Sequence, residues 1–233
     1  MQIVVEPSPD AAAGAAAAHM AQILARSIAA RGRATLALSG GATAMPLLAA
    51  LLRQAIDWTH VAVFQVDERI AADGDAARNL TALQCMLVAS GPLPAANLHP
   101  MPVTTGEPQA AADSYAEQLR ALVGSPPVFD LVHLGLGTDG HTASLFPGDA
   151  ALQVTDRDVT LAGNHAGYPR MTLTLPVINA ARARAWLVVG STKAAMLANL
   201  ERGATGLPCT LVARDATIIF ADAAARPLRP AGR

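Results

Sequence analysis

The chain has 233 residues, of which 52% are hydrophobic and 15% charged, and its formal net charge is −1. This size and composition are typical of a globular protein, and we expect a single domain over residues 1–233. The balanced charge argues against nucleic acid as a partner, because nucleic-acid-binding proteins carry strongly basic surfaces.

No segment of the sequence is typical of a membrane or secretory protein. The apolar stretches are shorter than the roughly 20 residues needed to cross a bilayer. The alanine-rich residues 11–30 follow the acidic Glu6 and Asp10, which indicates an amphipathic helix rather than a secretory leader. Cys85 and Cys209 lie far apart in apolar surroundings, so we expect buried thiols. These features predict a cytoplasmic protein without a membrane partner.

Predicted strands and helices alternate along the chain. Strands are predicted over residues 3–5, 34–38, 61–66, 97–100, 128–134, 158–162, 171–175, 185–189 and 217–220. Helices are predicted over residues 11–30, 44–56, 79–89, 108–123 and 192–202, followed by a closing turn of helix and a frayed tail over 226–233. This alternation predicts a Rossmann-like α/β fold of three layers, with a mostly parallel central sheet and helices on both faces.

Glycine-rich or charged clusters follow four of the predicted strands, at residues 39–43, 67–69, 135–141 and 190–193. Because the carboxyl ends of parallel strands share one edge of a sheet, we expect these clusters to lie close together. Open α/β proteins bind their ligands at that edge. The convergence of the four clusters predicts a ligand site there.

The stretch 135–148 contains Gly135, Gly137 and Gly140 at the spacing of a dinucleotide-binding fingerprint. Such a fingerprint opens a helix, whereas Pro147 would interrupt any helix that began at Gly140. The sequence therefore argues against a dinucleotide-dependent oxidoreductase.

Two titratable residues of this stretch are candidate catalytic groups. His141 follows Asp139 by two residues, and an oriented histidine can accept a proton from water at neutral pH. A hydrogen-bonded loop histidine is the alternative. His133 lies within a predicted strand and is expected to be a core residue. No third ligand is evident from the spacing, so no metal site is predicted.

The cluster at 39–43 contains Ser39, Gly40, Gly41, Ala42 and Thr43 between a strand and a helix. Its backbone N–H groups and hydroxyls could cradle a phosphate at a helix N-terminus, or the segment could be an ordinary turn that ends in an N-cap.

Lys193 is the only lysine, since the other basic residues are arginine. A compact, flexible ammonium suits a phosphate dianion, whereas the alternative is a solvated helix lysine. The run Asp67, Glu68 and Arg69 is either a solvated turn or a set of charges at the sheet edge.

Five ordered segments of the chain together resemble the 6-phosphogluconolactonases. They are Leu-Ser-Gly-Gly-Ala-Thr at 38–43, Val-Asp-Glu-Arg at 66–69, the glycine-rich stretch at 135–148, Arg-Met-Thr-Leu-Thr-Leu-Pro-Val-Ile-Asn-Ala-Ala at 170–181 and Val-Val-Gly-Ser-Thr-Lys at 188–193. The resemblance spans nearly the whole chain, and its most specific part is Asp-Gly-His-Thr-Ala-Ser-Leu-Phe-Pro at 139–147.

This resemblance implies hydrolysis of 6-phosphoglucono-δ-lactone to 6-phosphogluconate in the oxidative pentose phosphate pathway, without a metal or organic cofactor. It implies a fold similar to that of the glucosamine-6-phosphate isomerases. By the same resemblance, His141 activates water, Asp139 orients the loop or the imidazole, and Arg69 contacts the substrate or the developing oxyanion. Asp67 positions substrate hydroxyls or Arg69. The implied phosphate site comprises Ser39, Gly40, Gly41, Ala42, Thr43, Arg170 and Lys193.

The sequence departs from the family pattern at two places. Ala42 and Ala44 stand where the family more often has serine and proline, which removes one hydroxyl from the phosphate loop. Residues 70–79 keep only Asn79 of the usual substrate-facing loop, and Arg78 is a candidate for a contact of its own.

Two further classes of protein remain as alternatives. An amino-sugar-phosphate isomerase and deaminase carries an acid in Asn-Glu-Pro after the histidine, whereas residues 144–147 contain none. A sugar-phosphate sensor would need an output module, and no DNA-binding segment precedes residue 34. The sequence leaves monomer and homodimer open.

Overall fold

The structure is a computed structural model that describes residues 1–41 and 43–227. Its strands are β1 (Gln2–Glu6), β2 (Ala34–Leu38), β3 (Val61–Gln65), β4 (Asp67–Arg69), β5 (Leu98–His99), β6 (Leu131–Leu134), β7 (Val159–His165), β8 (Tyr168–Leu173), β9 (Arg184–Val188) and β10 (Thr217–Asp222). Its α-helices are α1 (Pro9–Arg31), α2 (Ala44–Leu51), α3 (Asn79–Leu83), α4 (Pro108–Leu122), α5 (Leu175–Ala180) and α6 (Ala194–Arg202). The segment Gln84–Ala89 continues α3 as a π-helix.

Seven parallel strands form the central sheet, in the order β1-β10-β9-β6-β2-β3-β5. One apolar cluster packs α1, α2 and α3 against one face, and a second packs α4, α5 and α6 against the other. Leu38, at the end of β2, pairs with Gln65 on one side and His133 on the other. The predicted three-layer α/β fold with a mostly parallel sheet is confirmed.

The alanine-rich segment forms α1, and its ends carry the expected stop signals. The Ser8 side chain accepts a hydrogen bond from the Ala11 N–H, and Pro9 occupies the first turn. Gly32 ends the helix at φ 74°, and its N–H donates to the Ile28 carbonyl. Small alanine side chains on the buried face let the helix backbone lie close to the sheet.

A second sheet of three antiparallel strands, in the order β4-β8-β7, was not predicted. The sequence indicated strands over 158–162 and 171–175 within a mostly parallel arrangement, and described 67–69 only as a charged cluster. A two-residue turn joins β7 to β8, with Ala166 at φ 53° and Gly167 at φ 88°. Such a turn forces the two strands into a hairpin, because parallel pairing requires a long crossover connection.

Several predicted boundaries were wrong. The helix predicted over 44–56 ends at Leu51, and the strand predicted over 171–175 ends at Leu173. The chain then enters α5, where Pro176 lies in the first turn and needs no hydrogen-bond partner for its nitrogen. Of the predicted frayed tail, residues 228–233 lie outside the described part.

The cysteine prediction was half right. Cys209 is buried, whereas Cys85 is exposed, and both thiols are free. In the described part of the chain, no helix combines the length and apolarity that a membrane span requires.

His133 is a core residue of β6, as expected. Its side chain is buried, and neither ring nitrogen has a hydrogen-bond partner among the described residues. Burial lowers the pKa of His133 to about 4, because the charged imidazole would lose its hydration.

This buried histidine predicts a specific loss of stability in acid. The unfolded chain binds a proton at His133 below pH about 6.5, whereas the folded chain does so only near its lowered pKa, so stability falls as the pH drops through this window. Between pH 7 and 5 the contribution is roughly 2 kcal/mol. His133→Leu is expected to remove that part of the pH dependence, measured by urea unfolding at both pH values. Equal losses of stability in the variant and the wild type would contradict this assignment.

Candidate functional site

A cavity of about 340 Å³ opens at the carboxyl edge of the central sheet. It is lined by Ser39, Gly40, Gly41, Thr43, Asp67, Arg69, Asn79, Gly135, Leu136, Gly137, Thr138, His141, Ala143, Phe146, His165, Ala166, Arg170 and Lys193. All four clusters predicted at strand ends therefore contribute to one cavity. Asp139 does not line the cavity but contacts His141, which does. Ala42 falls outside the described residues.

The fold explains this convergence. The glycine loop follows β2, the loop with His141 follows β6, and the turn with Lys193 follows β9. These three strands are neighbours in the central sheet. β4 leaves the end of β3 and pairs with β8, which places Asp67, Arg69 and Arg170 above the same edge. Two sheets therefore enclose the cavity.

The loop after β6 is a tight turn that holds His141 against Asp139. The Gly137 N–H donates to the His141 carbonyl at 2.8 Å. Oδ1 of Asp139 accepts the His141 backbone N–H at 3.1 Å and lies 2.5 Å from its Nδ1. Asp139 therefore orients both the loop and the imidazole. Because an ionised carboxylate only accepts hydrogen bonds, Nδ1 carries the proton and Nε2 is left as the basic nitrogen.

Burial and charge set the protonation of this pair. Desolvation lowers the pKa of His141, and the neighbouring Asp139 carboxylate offsets only part of that effect. Desolvation alone would raise the pKa of Asp139, but the His141 N–H and the imidazole lower it below its ordinary value. At neutral pH the pair therefore consists of a neutral imidazole and a carboxylate, which is the state that a general base requires.

Gly137 is needed for this close approach. A Cβ at Gly137 would overlap Nδ1 of His141 and lie 2.5 Å from Oδ1 of Asp139. We expect Gly137→Ala to displace His141 and Asp139. This should lower kcat of the reaction that His141 catalyses on the order of 100-fold, since small misplacements of catalytic groups are costly. The fold should persist in circular dichroism.

Gly14→Ala is the matched control, because a Cβ there meets no atom within 4 Å in α1. Wild-type kcat in Gly137→Ala would show that the contact between Gly137 and the pair is unimportant.

Three cationic side chains line the cavity without a carboxylate partner in the part of the chain that the structure describes: Arg69, Arg170 and Lys193. Arg69 and Arg170 are directly opposite each other in the β4–β8 pair, where like charges repel. Burial lowers the pKa of Arg170, and the charge of Arg69 lowers it further. Burial also lowers the pKa of Lys193. Such a group of cations suits an anionic ligand.

Each arginine is held by backbone carbonyls. Nη1 of Arg69 donates to the Ala77 carbonyl, and Nη2 of Arg170 donates to the His165 carbonyl at 2.9 Å. The guanidinium carbon of Arg170 also lies 5.9 Å from the centre of the Phe146 ring. These contacts fix the orientation of the charges without neutralising them.

The glycine loop after β2 also lines the cavity. A Cβ at Gly40 would overlap the Asn79 side-chain amide, and Gly41 has φ 92°, so both positions favour glycine. Thr43 precedes α2, but its side chain accepts no hydrogen bond from the helix. The buried Oγ of Ser39 has no hydrogen-bond partner among the described residues. Both hydroxyls are therefore available to a ligand.

Asp67 is buried at the cavity wall, and Oδ2 accepts a hydrogen bond from Oγ of Ser144 at 2.7 Å. Desolvation raises the pKa of Asp67, and the bond from Ser144 opposes that shift. This contact ties β4 to the loop that carries His141. Ser144 was not singled out from the sequence as a positioning residue.

Glu68 is not part of a solvated turn. It is fully buried, and its carboxylate accepts N–H bonds from Asn79 and Leu80 at 2.8 Å each, at the start of α3. Arg78 pairs with Asp73 and lies 3.7 Å from Glu68, and it is not among the residues that line this cavity. The suggestion that Arg78 contacts the ligand is not supported by this position.

Asn79, Phe146 and His165 line the cavity and were not predicted as site residues. Asn79 donates from Nδ2 to the Asp67 carbonyl at 2.9 Å. The sequence offered one signal for it, because Asn79 is the residue of the 70–79 loop that matches the family pattern. His165 lies at the tip of the hairpin that was not predicted. No pattern in the sequence indicated that it would lie beside His141.

The same histidine changes the reasoning about metals. The sequence argument found only two candidate ligands, whereas single donor atoms of Asp139, His141 and His165 all lie within 4.8 Å of one another. The short Asp139–His141 hydrogen bond already occupies one oxygen and Nδ1.

The dinucleotide fingerprint is not followed by a helix. Gly135, Gly137 and Gly140 open no helix, since the chain continues as turns to a short 3₁₀ helix at Ala150–Gln153. A dinucleotide pyrophosphate therefore lacks its helix N-terminus here.

Comparisons with known proteins identify the family of the chain. A 6-phosphogluconolactonase of Synechocystis sp. is 44% identical over 172 residues, which cover 72% of this chain and 71% of that protein. The crystal structure of a 6-phosphogluconolactonase from Shewanella baltica matches with a TM-score of 0.82 at 27% identity, over 95% of this chain and 97% of the other.

A monomeric glucosamine-6-phosphate deaminase matches in fold, with a TM-score of 0.85 at 16% identity over 98% of this chain and all of the other. Residues 7–220 match the family described as glucosamine-6-phosphate isomerases/6-phosphogluconolactonase. The chain therefore belongs to the glucosamine-6-phosphate isomerase/6-phosphogluconolactonase family.

Proposed function

We propose that this protein is a 6-phosphogluconolactonase of the oxidative pentose phosphate pathway and acts in the cytoplasm. The observation that carries the proposal is that His141, held by Asp139, shares one cavity with Arg69, Arg170 and Lys193. A base next to a group of cations matches a substrate that is both an ester and a phosphate. The 44% identity to a named lactonase supports the same assignment.

In the proposed reaction, Nε2 of His141 accepts a proton from water while the water oxygen bonds to the lactone carbonyl carbon. The π electrons of the carbonyl move onto its oxygen, and the Arg69 guanidinium stabilises this oxyanion more than the neutral carbonyl. The oxyanion then re-forms the carbonyl as the bond to the ring oxygen breaks. The ring oxygen takes up one proton and the imidazolium of His141 releases one, which returns His141 to its neutral form. The product is the open-chain acid, which ionises at neutral pH.

The two aspartates have separate roles in this proposal. Asp139 keeps the proton on Nδ1 of His141 and stabilises the imidazolium that forms during attack. Asp67, tied to Ser144, accepts hydrogen bonds from substrate hydroxyls or orients Arg69. Neither carboxylate takes a proton from the substrate carbon skeleton, since ester hydrolysis requires no such transfer.

The phosphate of the substrate would lie against Lys193 and Arg170 and the N-terminal end of α2. Charged side chains supply most of the attraction, while Ser39, Thr43 and the N–H groups of Gly40 and Gly41 supply directed hydrogen bonds. Ala42, whose family counterpart is more often serine, would add only its backbone. No cofactor takes part in the proposed reaction.

Hydrolysis is favoured over isomerisation and deamination by the segment after His141. The sequence at 144–147 has no acid for proton shuttling, and Leu145 is buried in the core. The test compares two substrates with one protein preparation. We expect acid release from fresh 6-phosphogluconolactone faster than its spontaneous hydrolysis, and no ammonia from glucosamine 6-phosphate. Ammonia release, or lactone hydrolysis at the spontaneous rate, would contradict the proposal.

A further inference from the structure

His165 faces the cavity, but the proposed reaction has not used it. It is the last residue of β7, at the tip of the β7–β8 hairpin. Its ring stacks on Phe146 with the ring centres 3.8 Å apart and the planes inclined by 20°. Its backbone carbonyl accepts a hydrogen bond from Nη2 of Arg170, which is one of the cationic residues that line the cavity. Stacking on Phe146 therefore positions the ring, and the Arg170 bond positions the backbone that carries it.

The imidazole of His165 lies next to that of His141. The ring centres are 5.6 Å apart and the planes are inclined by 63°, an edge-to-face arrangement. One donor atom of each ring and one carboxylate oxygen of Asp139 lie within 4.8 Å of one another. The two rings share no hydrogen bond in the described part of the chain, and nitrogens within 4.8 Å of each other can be bridged by one water molecule.

We propose that His165 is a second catalytic imidazole, which donates the proton that the ring oxygen of the lactone requires when it leaves. This inference rests on the proposed lactonase function. His141, already paired with Asp139, is oriented as the base. The ring nitrogens of His165 form no hydrogen bond with the described residues, and the residue lines the cavity.

The proton transfers balance over one turnover. His141 takes a proton from water as the new C–O bond forms, and the imidazolium of His165 gives a proton to the ring oxygen as the old C–O bond breaks. His141 is then charged and His165 neutral. A proton then passes from His141 to His165 through one bridging water molecule and restores the starting state.

The stacked geometry favours a chemical role over simple filling of space. A phenylalanine would cover Phe146 equally well, whereas an imidazole also presents nitrogens to the cavity. A metal bound by Asp139, His141 and His165 is the other arrangement that these donors allow. It would compete with the 2.5 Å contact between Asp139 and Nδ1 of His141.

The test uses His165→Phe, which keeps an aromatic ring on Phe146 without a nitrogen, and His165→Ala, which leaves space for free imidazole. Positioned general acids contribute about 100-fold or more, so we expect kcat to fall on the order of 100-fold in both variants with little change in KM. Added imidazole should restore activity to His165→Ala but not to His165→Phe. His19→Phe is the matched control, because His19 also lies beside a phenylalanine, Phe220, outside this cavity.

Each other outcome would overturn the inference. Full kcat in His165→Phe, or a change in KM alone, would show that the nitrogen is not needed for the chemistry. A loss that imidazole does not restore in His165→Ala would assign a structural role. Loss of wild-type activity in EDTA would assign the histidine to a metal. An inactive wild type would end the lactonase proposal itself, whereas an active His165→Phe beside an inactive His141→Ala would overturn the His165 role alone.

Discussion

Replacing His141 with alanine is expected to lower kcat for 6-phosphogluconolactone by a factor of 100 to 10,000, which is about the contribution of a positioned general base. Asp139 keeps the proton on Nδ1 and burial lowers the pKa of His141, so the wild-type Nε2 is unprotonated at neutral pH and can accept a proton. Alanine cannot accept a proton. The measurement is the initial rate of acid release from fresh lactone, with the spontaneous rate subtracted.

His60→Ala is the matched control for this variant. Nδ1 of His60 lies 2.8 Å from Oδ2 of Asp57, which is the same type of pair as His141 and Asp139, but on the surface and outside the cavity. Its rate should equal that of the wild type. A His141→Ala rate close to the wild-type rate would exclude His141 as the base.

Replacing Lys193 with alanine is expected to raise KM on the order of 10- to 100-fold and to change kcat much less. A hydrogen bond to a charged group contributes about 1.5–3 kcal/mol, and binding energy shared by substrate and transition state appears in KM. Lys193 lines the cavity and forms no salt bridge with the described residues, so its charge is available to a phosphate. Steady-state kinetics over a range of lactone concentrations give both constants.

Arg53→Ala controls for the loss of one positive charge, because Arg53 is exposed beyond the end of α2 and does not line the cavity. It should leave KM unchanged. An unchanged KM in Lys193→Ala would remove Lys193 from the phosphate site, and a large fall in kcat alone would assign it to the chemical step.

The position of the candidate cavity could be predicted from the sequence because it depends on topology. Ser39, His141 and Lys193 each follow an apolar strand, and parallel strands necessarily bring their carboxyl ends to one edge. The absence of a helix after Gly140 could be predicted from Pro147. Local signals and one general rule were sufficient for these features.

Other parts of the site depend on contacts between distant residues, which local patterns do not contain. The sequence around Glu68 is typical of a solvated turn. The carboxylate is nevertheless buried and accepts hydrogen bonds from the N–H groups of Asn79 and Leu80. The hairpin that carries His165 pairs with β4, and this places the histidine beside His141. The two-residue turn at Ala166 and Gly167 indicates a hairpin, but it does not indicate where that hairpin packs.

In the proposed function, one cavity holds both His141, the base for lactone hydrolysis, and a cationic site for the phosphate. The ratio of kcat/KM for 6-phosphogluconolactone to kcat/KM for unphosphorylated glucono-δ-lactone tests both parts together. Two charge-assisted contacts predict a ratio of about 100 or more, with turnover of the phosphorylated lactone well above its spontaneous hydrolysis. A ratio near one, or no turnover of either lactone, would contradict the account.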